Sequence, residues 1–229
     1  MDDGAEDVFL SLEMLKESAR QGVKAMCATS HFYADRESPQ DFLHRRKASV
    51  EELLQGARRE RGKYPEVYLG AEVLYFPGMS EAQELKDLCI GRSPCLLIEP
   101  PMLRWTDMML DEIELTGIKL NRIPVIAHID RYMRILKDDS LFDKIGSRKI
   151  LIQANASFFL HADTAKYAIE CLEEGKIHFI GSDCHNLDNR PPNMQFANEA
   201  IKNMGAAWAG EYLHKRAYGL LRKPLKGNA

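Results

Sequence analysis

Ionisable side chains end five of the six apolar runs that the sequence predicts as β-strands. These residues, at or just past the strand ends, are His31, Glu72, Glu99, His128, Asp183 and His185. A carboxylate or imidazole at the end of an apolar strand is costly to bury unless it is paired or bound to a cation. Mixed imidazole and carboxylate ligands suit zinc, manganese or iron rather than a thiolate-type site. The pattern therefore predicts a metal site.

Each of these residues has a simpler explanation when it is taken alone. His31 or His128 could be a hydrogen-bonded structural histidine, and Glu72 or Glu99 could form a salt bridge at the rim of a barrel. The set favours metal, because the carboxyl ends of parallel strands share one rim. Two bridging carboxylates would allow a cluster that activates water and binds a phosphoryl group.

The segment Asp183-Cys184-His185 follows the last predicted strand. On an extended segment alternate residues point the same way, so we expect Asp183 and His185 to face the metal together. The alternative is a turn with an Asx-type hydrogen bond. Cys184 should point away from its two neighbours, and we expect it to be a buried structural thiol rather than a nucleophile.

Two arginines lie close in sequence to these candidates. Arg131 follows His128 by three residues, and Arg190 follows His185 by five. Guanidinium groups bind phosphate through paired hydrogen bonds, which would make both arginines phosphate ligands. The alternative is an ion pair that stabilises a loop, for instance between Arg190 and Asp188.

The elements that must position these residues alternate between apolar β-rich runs and amphipathic helical stretches. The predicted strands are Lys24–Thr29, Val67–Val73, Cys95–Ile98, Val125–Ile129, Ile150–Asn155 and His178–Gly181. The predicted helices are Val8–Gln21, Pro39–Arg61, Met79–Leu88, Thr106–Asn121, Ala162–Glu174 and Met194–Met204. This order predicts an α/β fold with a mainly parallel sheet, and six strands joined by helices favour a (β/α) barrel. We expect residues 1–229 to form one domain.

Composition narrows the classes of protein that remain. The chain has 229 residues, of which 45% are hydrophobic and 28% charged, and a formal net charge of −3. Without a basic surplus, nucleic acid is not expected as a partner. No apolar run approaches the roughly 18 residues of a membrane span. Five scattered cysteines form no disulfide framework, and Cys27, Cys95 and Cys171 lie in apolar stretches as core thiols. We therefore expect a cytoplasmic protein.

Five sequence blocks together resemble one family, the PHP-type (polymerase-and-histidinol-phosphatase) protein-tyrosine phosphatases of bacterial capsule and exopolysaccharide clusters. The blocks are Ala28–His31, Gly70–Val73, Ile98–Glu99, Val125–Tyr132, and Gly181–Asn186 with Arg190–Pro192. The resemblance runs from Asp2 to about Met204, and the last two blocks are specific to this family. It implies a distorted, TIM-like (β/α)7 barrel that holds up to three metal ions, commonly manganese.

The resemblance also implies how the metal ligands divide. The implied ligands are Asp3, His31, Glu72, Glu99, His128, Asp183 and His185. Glu72 would bridge two metals, and Asp183 would bind one of them. Glu99 and His128 would complete the second site, and the other three ligands would form the third.

The implied reaction is attack of a metal-bound hydroxide on phosphotyrosine, without a phosphoenzyme intermediate. Arg131 and Arg190 match the family's phosphate-binding arginines. The implied substrate is the tyrosine-rich tail of a membrane-anchored autokinase that controls polysaccharide export. Two alternatives remain open: a catalytically impaired pseudoenzyme that binds the kinase, and a PHP phosphatase that acts on a small phosphate monoester such as histidinol phosphate.

The sequence departs from the family at its start. Members begin with a strand bearing His-x-His, followed by a short loop that leads to the Asp-Asp-Gly found here as Asp2-Asp3-Gly4. Both histidines would bind the first metal together with Glu72 and Asp183. We therefore expect a barrel that lacks its first strand, an incomplete first metal site and feeble activity.

Overall fold

The structure, a computed structural model, describes residues 1, 3–60, 62–136 and 140–221. Its strands are β1 (Ala25–Ala28), β2 (His31–Phe32), β3 (Glu66–Leu69), β4 (Glu72–Leu74), β5 (Cys95–Glu99), β6 (Ile123–Ile126), β7 (Leu151–Asn155) and β8 (Phe179–Gly181). Its α-helices are α1 (Val8–Arg20), α2 (Pro39–Glu60), α3 (Asp107–Leu120), α4 (Ile129–Leu136), α5 (Leu141–Gly146), α6 (Ala165–Glu173), α7 (Met194–Asn203) and α8 (Ala207–Leu221). Three short 3-10 helices span Met79–Glu81, Gln83–Leu88 and Ala156–Phe159.

All strand pairings among the described residues are parallel, which confirms the predicted α/β class. One pair joins β1 to β3, and a six-stranded sheet follows the order β2-β4-β5-β6-β7-β8. Between the pair β1/β3 and the pair β2/β4 the same two chain segments stay hydrogen-bonded, from Gly70 N–H to the Ala28 carbonyl and from Glu72 N–H to the Ser30 carbonyl. The first two strands of the sheet are therefore each broken in the middle, as β1/β2 and β3/β4.

The sheet curls into a half-barrel. A cavity of about 520 Å³ is lined by both outer strands, β1 and β8, and by α1 and α8. Within the part of the chain that the structure describes, β1 and β8 each pair with a strand on one side only. The curled sheet brings the ends of its strands around one opening.

Alternation along the strands decides which side chains face this opening. On β5, Leu96 and Ile98 are fully buried in the large core between sheet and helices. Cys95 and Leu97 point the other way and belong to a smaller cluster inside the curl. Because alternate strand residues share a face, Glu99 lies on the inner side with them. A slip of one residue would exchange the two faces and turn Glu99 into the apolar core, so the observed register is strongly favoured.

Local signals explain why α1 begins and ends where predicted. The Asp7 carboxylate accepts the N–H of Leu10 at 2.7 Å and caps the first turn. Gly22 ends the helix with φ +80°, a conformation that glycine adopts without steric cost. Its N–H donates to the Ala19 carbonyl at 3.0 Å. The predicted helix stop is confirmed.

Other predicted elements differ from the structure. The predicted helix Met79–Leu88 is wrong, because two 3-10 helices occupy it and Ala82 interrupts them with ψ 86°. The predicted strand Val125–Ile129 ends at Ile126 instead, and Ile129 begins α4. The predicted helix end Arg61, and Asp2 in the loop at the start, lie outside the described residues.

The structure tests the predicted burial of the cysteines and the predicted lack of a membrane span. All five cysteines are free, and Cys95 and Cys171 are buried as predicted. Cys27 is not a core thiol, because its side chain is exposed and lines the cavity. The low polarity of the cavity wall still raises the pKa of its thiol to about 11. Among the described residues, no helix has both the length and the apolar character required to cross a bilayer. Single-domain organisation and cytoplasmic location stay predictions.

His178 makes the stability of the fold sensitive to acid. Its Nδ1 accepts the N–H of Ile152 at 3.2 Å, while burial and the charge of Arg216 lower the pKa of its ring to about 4. At pH values between this pKa and the ordinary value near 6.5, His178 binds a proton in the unfolded chain but not in the folded chain. The free energy of unfolding must therefore fall as pH falls through this window.

We expect His178→Asn, whose side-chain oxygen can accept the same N–H without titrating, to remove this sensitivity. Denaturant unfolding at about pH 7.5 and about pH 5 should show the unaltered protein losing about 1–2 kcal/mol more than the variant. Equal losses in both proteins would contradict the assignment.

Candidate metal centre

The structure brings the seven predicted metal ligands together at one edge of the curled sheet. They are Asp3, His31, Glu72, Glu99, His128, Asp183 and His185, and five of them line the cavity. Six of them lie at the end of a strand, in the loop that follows it or at a break within one, and Asp3 lies in the loop before α1. Their placement is a finding, whereas their role as metal ligands stays a prediction.

The breaks in the first two strands place His31 and Glu72. These residues begin β2 and β4 and lie opposite one another in the register of the sheet. The break requires Gly70, because a Cβ there would lie 2.9 Å from the Ile90 side chain and 3.2 Å from Thr29. Only glycine lets the chains approach this closely, so the sequence Gly-Ala-Glu is needed to present Glu72 to the interior.

Three side chains form one group that could hold a cation. The Asp3 carboxylate oxygen Oδ1 lies 3.3 Å from His31 Nδ1 and 3.4 Å from His185 Nε2. The ligand atoms of this group all lie within 4.8 Å of one another. This is the trio that the resemblance assigns to the third metal.

A second group shares His31 with the first. His31 Nε2 lies 3.8 Å from a Glu72 oxygen and 3.7 Å from a Glu99 oxygen, and these three also lie within 4.8 Å of one another. The resemblance assigns Glu99 and His128 to the second site together with the bridging Glu72, and in this structure His128 Nε2 lies 2.7 Å from Glu72 Oε1. His31 therefore lies between the two groups, with one ring nitrogen toward each.

His128 and Asp183 both adopt left-handed backbone conformations, with φ 51° and φ 53°. Such conformations cost about 1–3 kcal/mol each outside glycine and persist only where the surroundings hold them. The prediction of an extended Asp183-Cys184-His185 segment is therefore wrong at its first residue. Cys184 is half-buried, and burial raises the pKa of its thiol, which disfavours the thiolate that a nucleophile needs.

Burial and mutual repulsion dominate the electrostatics of the site. Glu72 and Glu99 are 5% and 8% exposed, and burial together with the charge of Glu72 raises the pKa of Glu99. Burial alone would lower the pKa of His128, but its hydrogen bond and charge contact with Glu72 raise it to about 9. Burial opposes the charge of Asp183, yet His128 and Arg190 hold the pKa of that carboxyl below its ordinary value.

These features fit a bound cation. Four carboxylates converge on the site, and two of them are almost fully buried. Among the described residues, the guanidinium groups of Arg131 and Arg190 supply permanent positive charge in contact with these carboxylates. Uncompensated buried carboxylates are costly, and a divalent ion would compensate them directly. The donor set of imidazole nitrogen and carboxylate oxygen suits manganese, iron or zinc.

The two predicted arginines converge on one carboxylate from opposite sides. Arg131 Nη2 donates to Asp183 Oδ2 at 2.7 Å, and Arg190 Nη2 lies 2.7 Å from Asp183 Oδ1. Arg131 also reaches Glu99 at 3.3 Å, and Arg190 reaches Asp3 at 3.7 Å. The guanidinium of Arg190 thus pairs with Asp183 and Asp3 rather than with Asp188, the alternative partner. Both arginines remain partly exposed beside the metal ligands.

Sequence reasoning missed three polar residues behind the ligands. Gln153 and Asn155, at the end of β7, contact His128, and the Asp130 carboxylate accepts the N–H of Asn155 at 2.7 Å. The end of this strand carries no ionisable group, so ionisable residues at strand ends do not point to it. The available signal was the alternation of Gln153 and Asn155 in an otherwise apolar strand, which points two amides to one side.

The sequence of this chain is similar to sequences of known proteins. The family model for capsular polysaccharide synthesis proteins, CpsB/CapC, matches residues 1–222. The tyrosine-protein phosphatase CpsB of Streptococcus agalactiae is 30% identical over 236 residues, covering 97% of this chain and 94% of the relative. The tyrosine-protein phosphatase YwqE of Bacillus subtilis is 26% identical over 200 residues, covering 83% of this chain and 75% of the relative.

A solved structure shares the fold. It comes from the crystal structures of YwqE from Bacillus subtilis and CpsB from Streptococcus pneumoniae, which are described as metal-dependent tyrosine phosphatases. It superposes with a TM-score of 0.83 at 24% identity, covering 98% of this chain and 91% of that chain. The predicted TIM-like fold class is confirmed by this likeness, and the predicted resemblance by the family match.

Glu72 is the carboxylate on which metal binding should depend most. We expect Glu72→Gln, which keeps the shape but removes the charge, to weaken manganese binding at least roughly tenfold in calorimetric titration. Glu173→Gln makes the same chemical change at an exposed position at the end of α6 and should leave the affinity unchanged. Equal affinity in the unaltered protein and in Glu72→Gln would show that the metal binds elsewhere.

Proposed function

Because this chain belongs to the CpsB/CapC family of capsular polysaccharide synthesis proteins, we propose that it is a manganese-dependent tyrosine-protein phosphatase. The observation that carries the proposal is the convergence of Arg131 and Arg190 on Asp183, 2.7 Å from each, beside the cluster of carboxylates and imidazoles. Asp183, a predicted metal ligand, therefore also contacts both of the arginines that we propose to bind phosphate. This arrangement suits hydrolysis of a phosphate monoester.

The arginines would bind the phosphoryl group of the substrate. A guanidinium carries five N–H donors in a planar fork, and the contacts with Asp183, Glu99 and Asp3 leave some of these donors free. Both side chains are partly exposed, so an incoming phosphate can reach them. Holding the phosphate from two sides would orient the ester for attack from the side of the metal ligands.

The metal ligands would be the seven side chains named above, and bound manganese would supply the Lewis acidity that activates water and offsets phosphoryl charge. The side chains and backbone of this protein set the position of the reaction. Glu72 and Glu99 supply negative charge in a buried position, and His128 and Asp183 present their side chains from left-handed backbone positions that neighbouring groups maintain. The half-buried Cys184, whose thiol pKa is raised, supports direct attack by water rather than by a cysteine.

The substrate that we propose is the phosphotyrosine tail of a tyrosine autokinase of polysaccharide export. Two lines support it: the family is one of capsular polysaccharide synthesis proteins, and relatives of this chain carry the name tyrosine-protein phosphatase. The partial exposure of both arginines also suits a substrate presented on a polypeptide tail, because the phosphate is bound at the rim.

Lysine substitutions test the role of the arginines. Arg131→Lys and Arg190→Lys keep the charge but lose the paired hydrogen bonds. We expect each to lower kcat/KM for a phosphotyrosine peptide roughly 10- to 100-fold, because a hydrogen bond to a charged group contributes about 1.5–3 kcal/mol. Manganese affinity should stay within a few-fold of its starting value. Arg148→Lys is the matched control, since Arg148 also pairs with two aspartates, Asp107 and Asp111, but lies away from the site.

The same assay separates the alternatives. Faster turnover of histidinol phosphate than of the phosphotyrosine peptide would contradict the proposed substrate and favour a small phosphate monoester. Tight binding of the kinase tail without turnover at saturating manganese would contradict the proposed activity and favour a pseudoenzyme. Unchanged kcat/KM in both lysine variants would show that the arginines do not bind the phosphate.

A further inference from the structure

Two neutral amides occupy the end of β7, where the other strand ends carry ionisable groups. Gln153 and Asn155 are 8% and 7% exposed, and both point toward His128. Buried amides are costly unless their donors and acceptors are matched. Their orientation can be deduced from the groups that they contact.

The orientation of Asn155 follows from Asp183. A carboxylate only accepts hydrogen bonds, so the group 3.3 Å from Asp183 Oδ2 must be the NH2 of the Asn155 amide. The opposite orientation would bring two acceptors together. The carbonyl oxygen Oδ1 therefore faces His128 Nδ1, at 2.9 Å.

The orientation of Gln153 follows from the backbone of His128. A backbone N–H only donates, so the group 2.7 Å from it must be the Gln153 carbonyl oxygen. The NH2 of Gln153 then donates to the Ala154 carbonyl at 2.8 Å and to Asn155 Oδ1 at 3.2 Å. Both amides are thus fixed by partners whose donor or acceptor character cannot change, and Asn155 Oδ1 can only accept.

We propose that Asn155 is a positioning residue: its carbonyl oxygen holds a proton on His128 Nδ1, which leaves Nε2, the nitrogen that faces Glu72, as the one that can bind metal. The proton on Nδ1 is required because Asn155 Oδ1 offers no hydrogen. The backbone of His128 is left-handed, with φ 51°, a conformation that persists only where neighbouring groups hold it. Groups that hold the second nitrogen of a metal-binding histidine commonly govern metal affinity. The proposal rests on the proposed metal site but not on phosphatase activity.

Metal binding tests the proposal without recourse to catalysis. We expect Asn155→Ala to weaken zinc and manganese binding roughly 10- to 100-fold by calorimetric titration. Asn155→Leu keeps the size of the side chain but offers no acceptor to His128 Nδ1, and it should weaken binding as much as Asn155→Ala. Asn203→Ala, at the exposed end of α7, is the control for loss of an amide. Equal affinity in Asn155→Ala and the unaltered protein, or full affinity in Asn155→Leu, would overturn the proposal.

Nuclear magnetic resonance of the unaltered protein tests it even if Asn155→Ala does not fold. With zinc bound, nitrogen–proton spectra of the histidine rings should show a proton on His128 Nδ1 that exchanges slowly with solvent, and metal on Nε2. A proton on Nε2, or metal on Nδ1, would overturn the proposal. Metal binding with the expected ring signals but without turnover of phosphotyrosine would reject the proposed function and leave this role of Asn155 intact.

Discussion

The concentration of buried negative charge at one edge of the sheet is the constraint on which the rest of the site depends. Glu72 and Glu99 lie almost fully buried, and Asp183 lies close to both arginines. Carboxylates in such a position are tolerated only when cations or donors compensate them. The arginines supply positive charge beside Asp183, and the charge of Glu72 raises the pKa of His128. A divalent cation would compensate these carboxylates most directly.

The fold meets this constraint with rigid elements and local strain. The parallel strands present their ends around one opening, and the breaks in the first two strands turn His31 and Glu72 inward. His128 and Asp183 adopt left-handed conformations that are unfavourable in isolation. Gln153 and Asn155 offset that cost with a fully matched set of hydrogen bonds. The two strained positions are thus held by buried amides and, at Asp183, by the two arginines as well.

Much of this site could be predicted from sequence, because ionisable groups at the ends of apolar strands are rare unless they are needed. Glu72, Glu99 and His128 stood out for that reason, and the parallel fold made their meeting predictable. The amides Gln153 and Asn155 could not be singled out in the same way. A buried amide becomes informative only when its partners are known, and those partners come from strands distant in sequence.

Local backbone geometry was the other limit on sequence reasoning. The left-handed conformation of His128 ends β6 earlier than apolar character alone suggests, and that of Asp183 bends a segment expected to be extended. The 3-10 helices at residues 79–88 replace one predicted helix, since Ala82 leaves the helical region. Tertiary contacts decide each of these features, because residue type alone does not require them.

The most direct test of the account is anomalous diffraction at the manganese edge from crystals grown with manganese. The account predicts anomalous peaks within coordination distance of Glu72, with imidazole nitrogen from His31 or His128 among the neighbouring ligands. Manganese bound only at positions remote from Glu72, with the cluster of carboxylates and imidazoles held together by its own ion pairs, would contradict it.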